Sequence, residues 1–203
     1  MRTAARVIGV VAVLSVIGAV ASGQQRAPAA RAAPAPVVAG HPFELSLVPP
    51  AQILGSAASV HGLRIDIIFG ENQNVTGMDF GLAHRTDGIF TGYAVGLLNY
   101  NGGEVRGVQE ALFNWAESDV VGGQGAVVNF TEGGVSGMQF GVFNWAADLN
   151  GTQVGVVNRC DSLSGFQFGL LNLTDRIDGL QLGLINVATS GRFQVLPIIN
   201  SRW

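Results

Sequence analysis

The sequence predicts an all-β repeat protein, and three observations carry that expectation: abundant glycine, asparagine at a fixed spacing, and alternation of residue character between them. There are 29 glycines in 203 residues, about twice the usual share of roughly 7%. Aligned on asparagine, the units fall at His84, Asn99, Asn114, Asn129, Asn144, Asn158, Asn172, Asn186 and Asn200, in steps of 15 and then 14 residues. Self-similarity at such a period marks an architecture in which each unit buries its surface only against its neighbours.

Other columns keep the same register. Gly77, Gly92, Gly107, Gly122, Gly137, Gly151, Gly165 and Gly179 lie seven residues before the asparagine slot. Small residues from Gly81 to Gly183 lie three before it, and between them runs a column of Asp79, Ala94, Gln109, Gln124, Gln139, Gln153, Gln167 and Gln181. Two glycines per unit oppose a helix, and alternation favours a strand. On one face fall Val135, Gly137, Gln139, Gly141 and Phe143; on the other, Ser136, Met138, Phe140, Val142 and Asn144. Each unit is thus expected to be a strand of up to nine residues followed by a polar or aromatic turn.

Two architectures accept a strand at this period. In a parallel β-solenoid with one 14–15-residue unit per coil, equal positions stack about 4.8 Å apart, and Asn99 through Asn200 form a hydrogen-bonded ladder. The alternative is an antiparallel meander or outer-membrane β-barrel, one strand per unit. The near-equal turns favour the solenoid, because membrane barrels usually alternate short turns with long loops. Glu110 argues the same way: it occupies a column otherwise held by Phe80, Val95, Phe140, Val154, Phe168 and Leu182, the lipid face of a barrel. Terminal Trp203 and the acids near the turns favour the barrel. The solenoid is the primary expectation.

Residues 1–22 read as a secretory signal: Arg2 and Arg6, an apolar run from Val7 to Val20, then small residues. That run is too short to span a bilayer as a helix. Residues 23–42 read as an Ala/Pro-rich linker, and 43–203 as the β-repeat domain, with atypical capping strands over 43–70 and repeats over 75–200. The Pro197 unit breaks the glycine column and is expected to cap the far end. A single cysteine, Cys160, allows no internal disulfide and no cysteine-based zinc site. The net charge is −3 and lysine is absent, so no basic patch for nucleic acid is expected.

The units GVQEALFN, GMQFGVFN, GTQVGVVN, GFQFGLLN and GLQLGLIN, with the opening LRIDIIFGENQNVTG and the ending VLPIIN, resemble a family of bacterial surface repeat-containing proteins built on GxQxGxxN-type units. The resemblance covers roughly residues 63–203. It implies a signal sequence and a surface or outer-membrane address, and it brings no catalytic or cofactor-binding residues.

Candidate sites are few. His41, His61 and His84 fall in no catalytic or metal-binding spacing; His84 reads as an imperfect first rung of the ladder. Asp87, Glu117, Glu132, Asp148, Asp161 and Asp175 lie near the turns, where stacked carboxylates would suit calcium, although the spacing of known calcium turns is missing. Tyr100, Trp115, Phe130 and Trp145 follow the asparagine in successive units and form a possible aromatic contact stripe. Cys160 has no repeat partner. The expectation is an exported, non-enzymatic structural or interaction protein of the cell surface, outer membrane or periplasm, without cofactor and with an unspecified envelope partner. A small membrane barrel serving as scaffold or pore is the alternative.

Overall fold

The computed structural model describes residues 40–49, 51–190 and 193–202. The expected signal, nearly all of the linker, and Trp203 lie outside the described residues.

The repeat folds as a parallel β-solenoid of about eight turns, with about 15 residues per turn. One unit shows why. Val105–Glu110 (β7) pairs along its length with the units on either side, and Phe113–Ala116 (β8) does the same. Ala111 and Leu112 form a corner between them, and the polar residues 117–119 turn the chain into the next coil. The preceding coil is likewise split, into Phe90–Val95 (β5) and Leu98–Asn101 (β6). Elsewhere pairing continues around the corner, giving the longer strands Ser59–Asn72 (β3), Asn74–Thr86 (β4), Val120–Thr131 (β9), Val135–Val154 (β10) and Val157–Ala188 (β11). Neighbouring coils run parallel with equal positions paired: Gly137 with Gly122, Gln139 with Gln124, Asn144 with Asn129. An antiparallel meander or barrel, which needs alternating strand directions, is therefore not the fold.

The corner corrects the expected strand faces. Gln139 and Asn144 are both fully buried, while Met138, Phe140 and Val142 point outward at 50%, 62% and 50% exposure. The chain bends at Gly141–Val142, so the alternation changes parity there, and the asparagine lies on the same inner side as the glutamine. Likewise Tyr100, Trp115, Phe130 and Trp145 lie in strands rather than turns.

The glycine column seven residues before the asparagine is fixed by geometry. Gly137 has φ 142°, and a Cβ there would run into the carbonyl oxygen of Gly122; Gly122, Gly151 and Gly165 stand in the same relation to their predecessors. Only glycine takes that conformation with a backbone so close.

Both ends depart from expectation. β3 is a full coil, with Val60, Gly62 and Arg64 in register with Val75, Gly77 and Asp79, so the repeats begin before residue 75. His41–Val48 (β1) pairs parallel to β3, and Ala51–Gln52 (β2) pairs antiparallel to β1. β1 starts ahead of Phe43, inside the stretch expected to be linker. At the other end Val195–Arg202 (β12) returns antiparallel to β11. A register shift between Gly183 and Asn186 accompanies Ile198 at φ 66°. The reversed strand covers an edge that would otherwise template further pairing.

A polar interior and an apolar exterior

Apart from Ala94, which stands in the glutamine column, the buried apolar residues form two narrow columns: Val60, Val75, Phe90, Val105, Val120, Val135, Leu149, Leu163 and Ile177 at the start of each coil, and Ala116, Ala146, Cys160 and Ala188 near its end. Between them the interior is amide. Each asparagine Nδ2 donates to the Oδ1 of the next rung, from Asn99 to Asn114 (2.8 Å) through to Asn172 and Asn186 (2.8 Å). The same nitrogen also donates to a backbone carbonyl of the following coil, as Asn144 does to Val154 (3.0 Å). The glutamine ladder runs in the opposite sense. Gln139 Nε2 donates back to Gln124 Oε1 (2.9 Å), and Gln153, Gln167 and Gln181 repeat the bond at 2.7–2.8 Å. Their second N–H reaches the carbonyl just past the asparagine of the same coil, as from Gln153 to Arg159 (3.3 Å). Buried amides are costly only when unpaired, and here the stacking supplies the partners.

Asn200 does not extend the asparagine ladder. Because β12 is antiparallel, Asn200 faces Gln181 and donates to its Oε1 (3.0 Å), so it ends the glutamine ladder instead. Asn186 turns to the carbonyls of Gly183 and Leu196.

At the first coils the ladders give way to buried charge. Arg64 and Asp79 stand in the glutamine column and pair through the Arg64 Nε and Nη2 atoms, with Nε also 3.2 Å from Asp66. His84 Nδ1 lies 2.7 Å from Asp66 and 2.9 Å from Asp79, and its Nε2 lies 3.0 Å from the carbonyl of Val95. A ring whose two nitrogens face acceptors is an imidazolium. Burial pushes its pKa down, but the hydrogen bonds to Asp66 and Asp79 prevail and raise it to about 9. Burial opposes ionisation of Asp79, and the Arg64 and His84 charges outweigh it, leaving that carboxyl below its ordinary range. Burial raises Glu44, which lies opposite Arg64.

His84 takes the asparagine slot, as expected, and copies the asparagine bond to the next coil's carbonyl. It supplies no donor to Asn99 Oδ1, which is left without a hydrogen-bond partner. Among the described residues, Asp66, Asp79 and His84 form the one group of three close metal-type ligands. The Arg64 guanidinium already occupies the cation position against the same carboxylate oxygens, so the group fits a protein-borne charge network rather than a metal ion. The V-x-G pattern at Val60–Gly62 placed Arg64 in the glutamine column and was the available signal for this network.

The outer surface is apolar at the corner and in the columns nearest to it on both strand-bearing sides. The outermost column of the first side, next to the turn edge, is instead polar, with Arg106, Ser136, Asn150, Ser164 and Asp178 exposed. The corner carries an unbroken ridge of Leu82, Leu97, Leu112, Val127, Val142, Val156, Leu170 and Leu184, each between 42% and 66% exposed. On the first side lie the columns that include Met78, Phe80, Val108, Met138, Phe140 and Phe166; on the second, Leu98, Phe113 and Ile185, beside the aromatic stripe. Charges gather instead along the turn edge.

Within the stripe, ring centroids lie 6.3 Å apart for Tyr100–Trp115, 5.4 Å for Trp115–Phe130 and 5.6 Å for Phe130–Trp145. Arg85 sits over Tyr100 at 5.2 Å and Arg159 over Trp145 at 5.6 Å, closing the row at both ends. The rings are half-buried and turned against one another, so their faces are spent within the stack.

The acids near the turns do not form the column that calcium would need. Gly102 and Ala147 interrupt it, and Asp148 lies opposite Ser162 rather than Asp161. Asp87 pairs with Arg85 (2.7 Å), Glu117 accepts from Tyr100, and Asp161 and Asp175 share Arg159 (2.9 and 3.1 Å); Glu132 lies exposed at the start of its turn. Cys160 is buried in the alanine and threonine column beside Thr174 and Gln167, and burial raises its thiol to about 12. No protein-family model, curated protein or solved structure matches the chain.

Proposed function

We propose that this chain is an exported, non-enzymatic protein of a bacterial envelope: a stiff β-rod whose apolar sides pack against other macromolecules. The observation that carries this reading is the inverted distribution of polarity. Amide ladders fill the interior, and bulky apolar side chains stand outside in columns along the rod, unbroken at the corner. Water-exposed apolar patches beyond a few hundred Å² mark interaction surfaces. The two apolar columns of the first side alone, about 38 Å long for eight coils at strand spacing and roughly 13 Å wide, offer about 500 Å².

Export is supported by residues 1–22, with their paired arginines and apolar run, and by the resemblance to surface repeat proteins. A sugar-binding role for the aromatic stripe has less support, because the ring faces already meet each other and two guanidinium groups.

The test is photo-crosslinking in a bacterium with a two-membrane envelope that expresses the full-length chain. A photoreactive residue replaces Leu112, Phe140 or, on the turn edge, Asp119. Expected are an envelope-located chain whose sequenced N-terminus lies near residue 22, and protein crosslinks at Leu112 and Phe140 that exceed those at Asp119. An uncut cytoplasmic chain, or equal crosslinking at all three sites, overturns the reading.

A further inference from the structure

The first apolar side has a break in its middle. Gly123 and Gly125 fall in columns that hold Val108 and Glu110 one coil earlier and Met138 and Phe140 one coil later. They leave an open notch of about 680 Å³, floored by the strand that carries them. Neither glycine is required by the backbone. Both lack the positive φ of the structural column, and a Cβ at Gly123 or Gly125 would find its nearest atom 3.8 Å away. Next to this unforced gap stand two large projections, Met138 and Phe140, 50% and 62% exposed.

Gap and projection are related by symmetry. A two-fold axis lying along the strand direction, between these two coils, turns the side to face a second copy while keeping each position along the strand. Gly123 then meets Met138 of the second copy, Gly125 meets its Phe140, and both contacts occur twice. The other face-to-face choice, an axis along the rod, reverses the strands and sets notch against notch and projection against projection. Self-complementarity of this kind defines an isologous interface.

We propose that the partner of this side is a second copy of the same chain, docked antiparallel about an axis between the Gly125 and Phe140 coils. This rests on the reading of the apolar sides as interaction surfaces and names the occupant of one of them. The axis lies near the middle of the rod, so nearly the whole side is covered, with Phe80 in the β4 coil facing Leu182 in the last parallel coil. The whole side, its polar outer column included, covers roughly 750 Å² per copy at strand spacing, against about 800 Å² per partner in stable complexes. Glu110 faces Val154 and Val108 faces Thr152, and in the polar outer column of the side Arg106 faces Asn150 and Asp178 faces Thr76.

The test uses chain purified from cells that express the full-length sequence, and it has two parts. By sedimentation the native chain should run at two chain masses. Gly125→Glu, whose side chain has room in the monomer, should run at one chain mass with the native β-rich circular dichroism and a dissociation constant raised about 30-fold or more. Phe140→Ser should act the same way from the opposite partner, and Glu110→Val should tighten the dimer. Register is read by disulfide trapping, for which buried Cys160 leaves a clean background. Phe80→Cys mixed with Leu182→Cys should give a covalent mixed dimer, and neither variant alone should give one, since like positions lie about 34 Å apart, seven coils at strand spacing. A monomeric native chain, Phe80→Cys trapping with itself, or a dimer indifferent to Gly125→Glu and Phe140→Ser overturns the proposal. If it fails while Phe140 still crosslinks to another protein or to lipid, the interaction reading stands and only the identity of the partner falls.

Discussion

At Gly137 the backbone adopts φ 142° and an added Cβ would strike the Gly122 carbonyl; at Gly123 the nearest atom would be Val108 Cγ2 at 3.8 Å. The same residue type therefore answers to backbone necessity at one position and to surface shape at the other. Gly137→Ala should cost roughly 1–3 kcal/mol or more in urea unfolding, whereas Gly123→Ala should fall within about 0.5 kcal/mol of the native chain. His84 gives a residue-scale prediction in pH. Its folded pKa of about 9 exceeds the ordinary 6.5, so its stabilising contribution is complete below pH 6.5 and is lost as pH rises through 9. The melting temperature should decline across that window in the native chain and stay level in His84→Gln, as thermal melts at pH 6, 7.5 and 9 would show.

At the scale of the element, the unit is a closed circuit of amides, and its columns were legible because a constant period fixes which residues stack. Gln139 and Gln153 had to meet in any parallel stack of these units. The bend was not legible. It is made by Gly141 and Val142, in columns of small and aliphatic residues that would also suit a straight strand, and a parity change leaves no mark in composition. Simple alternation therefore puts Asn144 on the wrong side and does not mark the outward apolar columns or the notch among them. The reversal of β12 was hidden for a related reason: Asn200 keeps the spacing of a rung while the chain direction changes beneath it. The circuit predicts non-additive energetics. Gln153→Leu removes the donor to Gln139 Oε1 and the acceptor of Gln167 Nε2, and should cost about 2–6 kcal/mol, at roughly 1–3 kcal/mol per orphaned group. Replacing Gln139, Gln153 and Gln167 together by leucine leaves broken ladder contacts only at the two ends of the substituted stretch. Its cost in urea melts should therefore fall well short of three times the single value.

At the scale of the whole molecule, nearly half the residues are hydrophobic, yet the interior is largely claimed by amides, so the apolar majority must stand outside. A rod built this way depends on the contacts between neighbouring coils rather than on a central core, and its stability should scale with the number of coils. Excising residues 149–162 tests that directly, because it removes one complete unit and joins Asp148 to Leu163, the residue that opens the next coil. Asn144 then meets Asn172 and Gln139 meets Gln167, so both ladders close again. The shortened chain should keep its β-rich circular dichroism and one cooperative melt, with its longest dimension reduced by about 4.8 Å in small-angle scattering. Excising only residues 149–155 removes half a coil and stacks strand positions on the corner. Glycine carbonyls would then face bulky side chains, and the ladders would lose their register. That chain should not fold cooperatively; if it melts like the full-coil deletion, packing in register is not what holds the rod together.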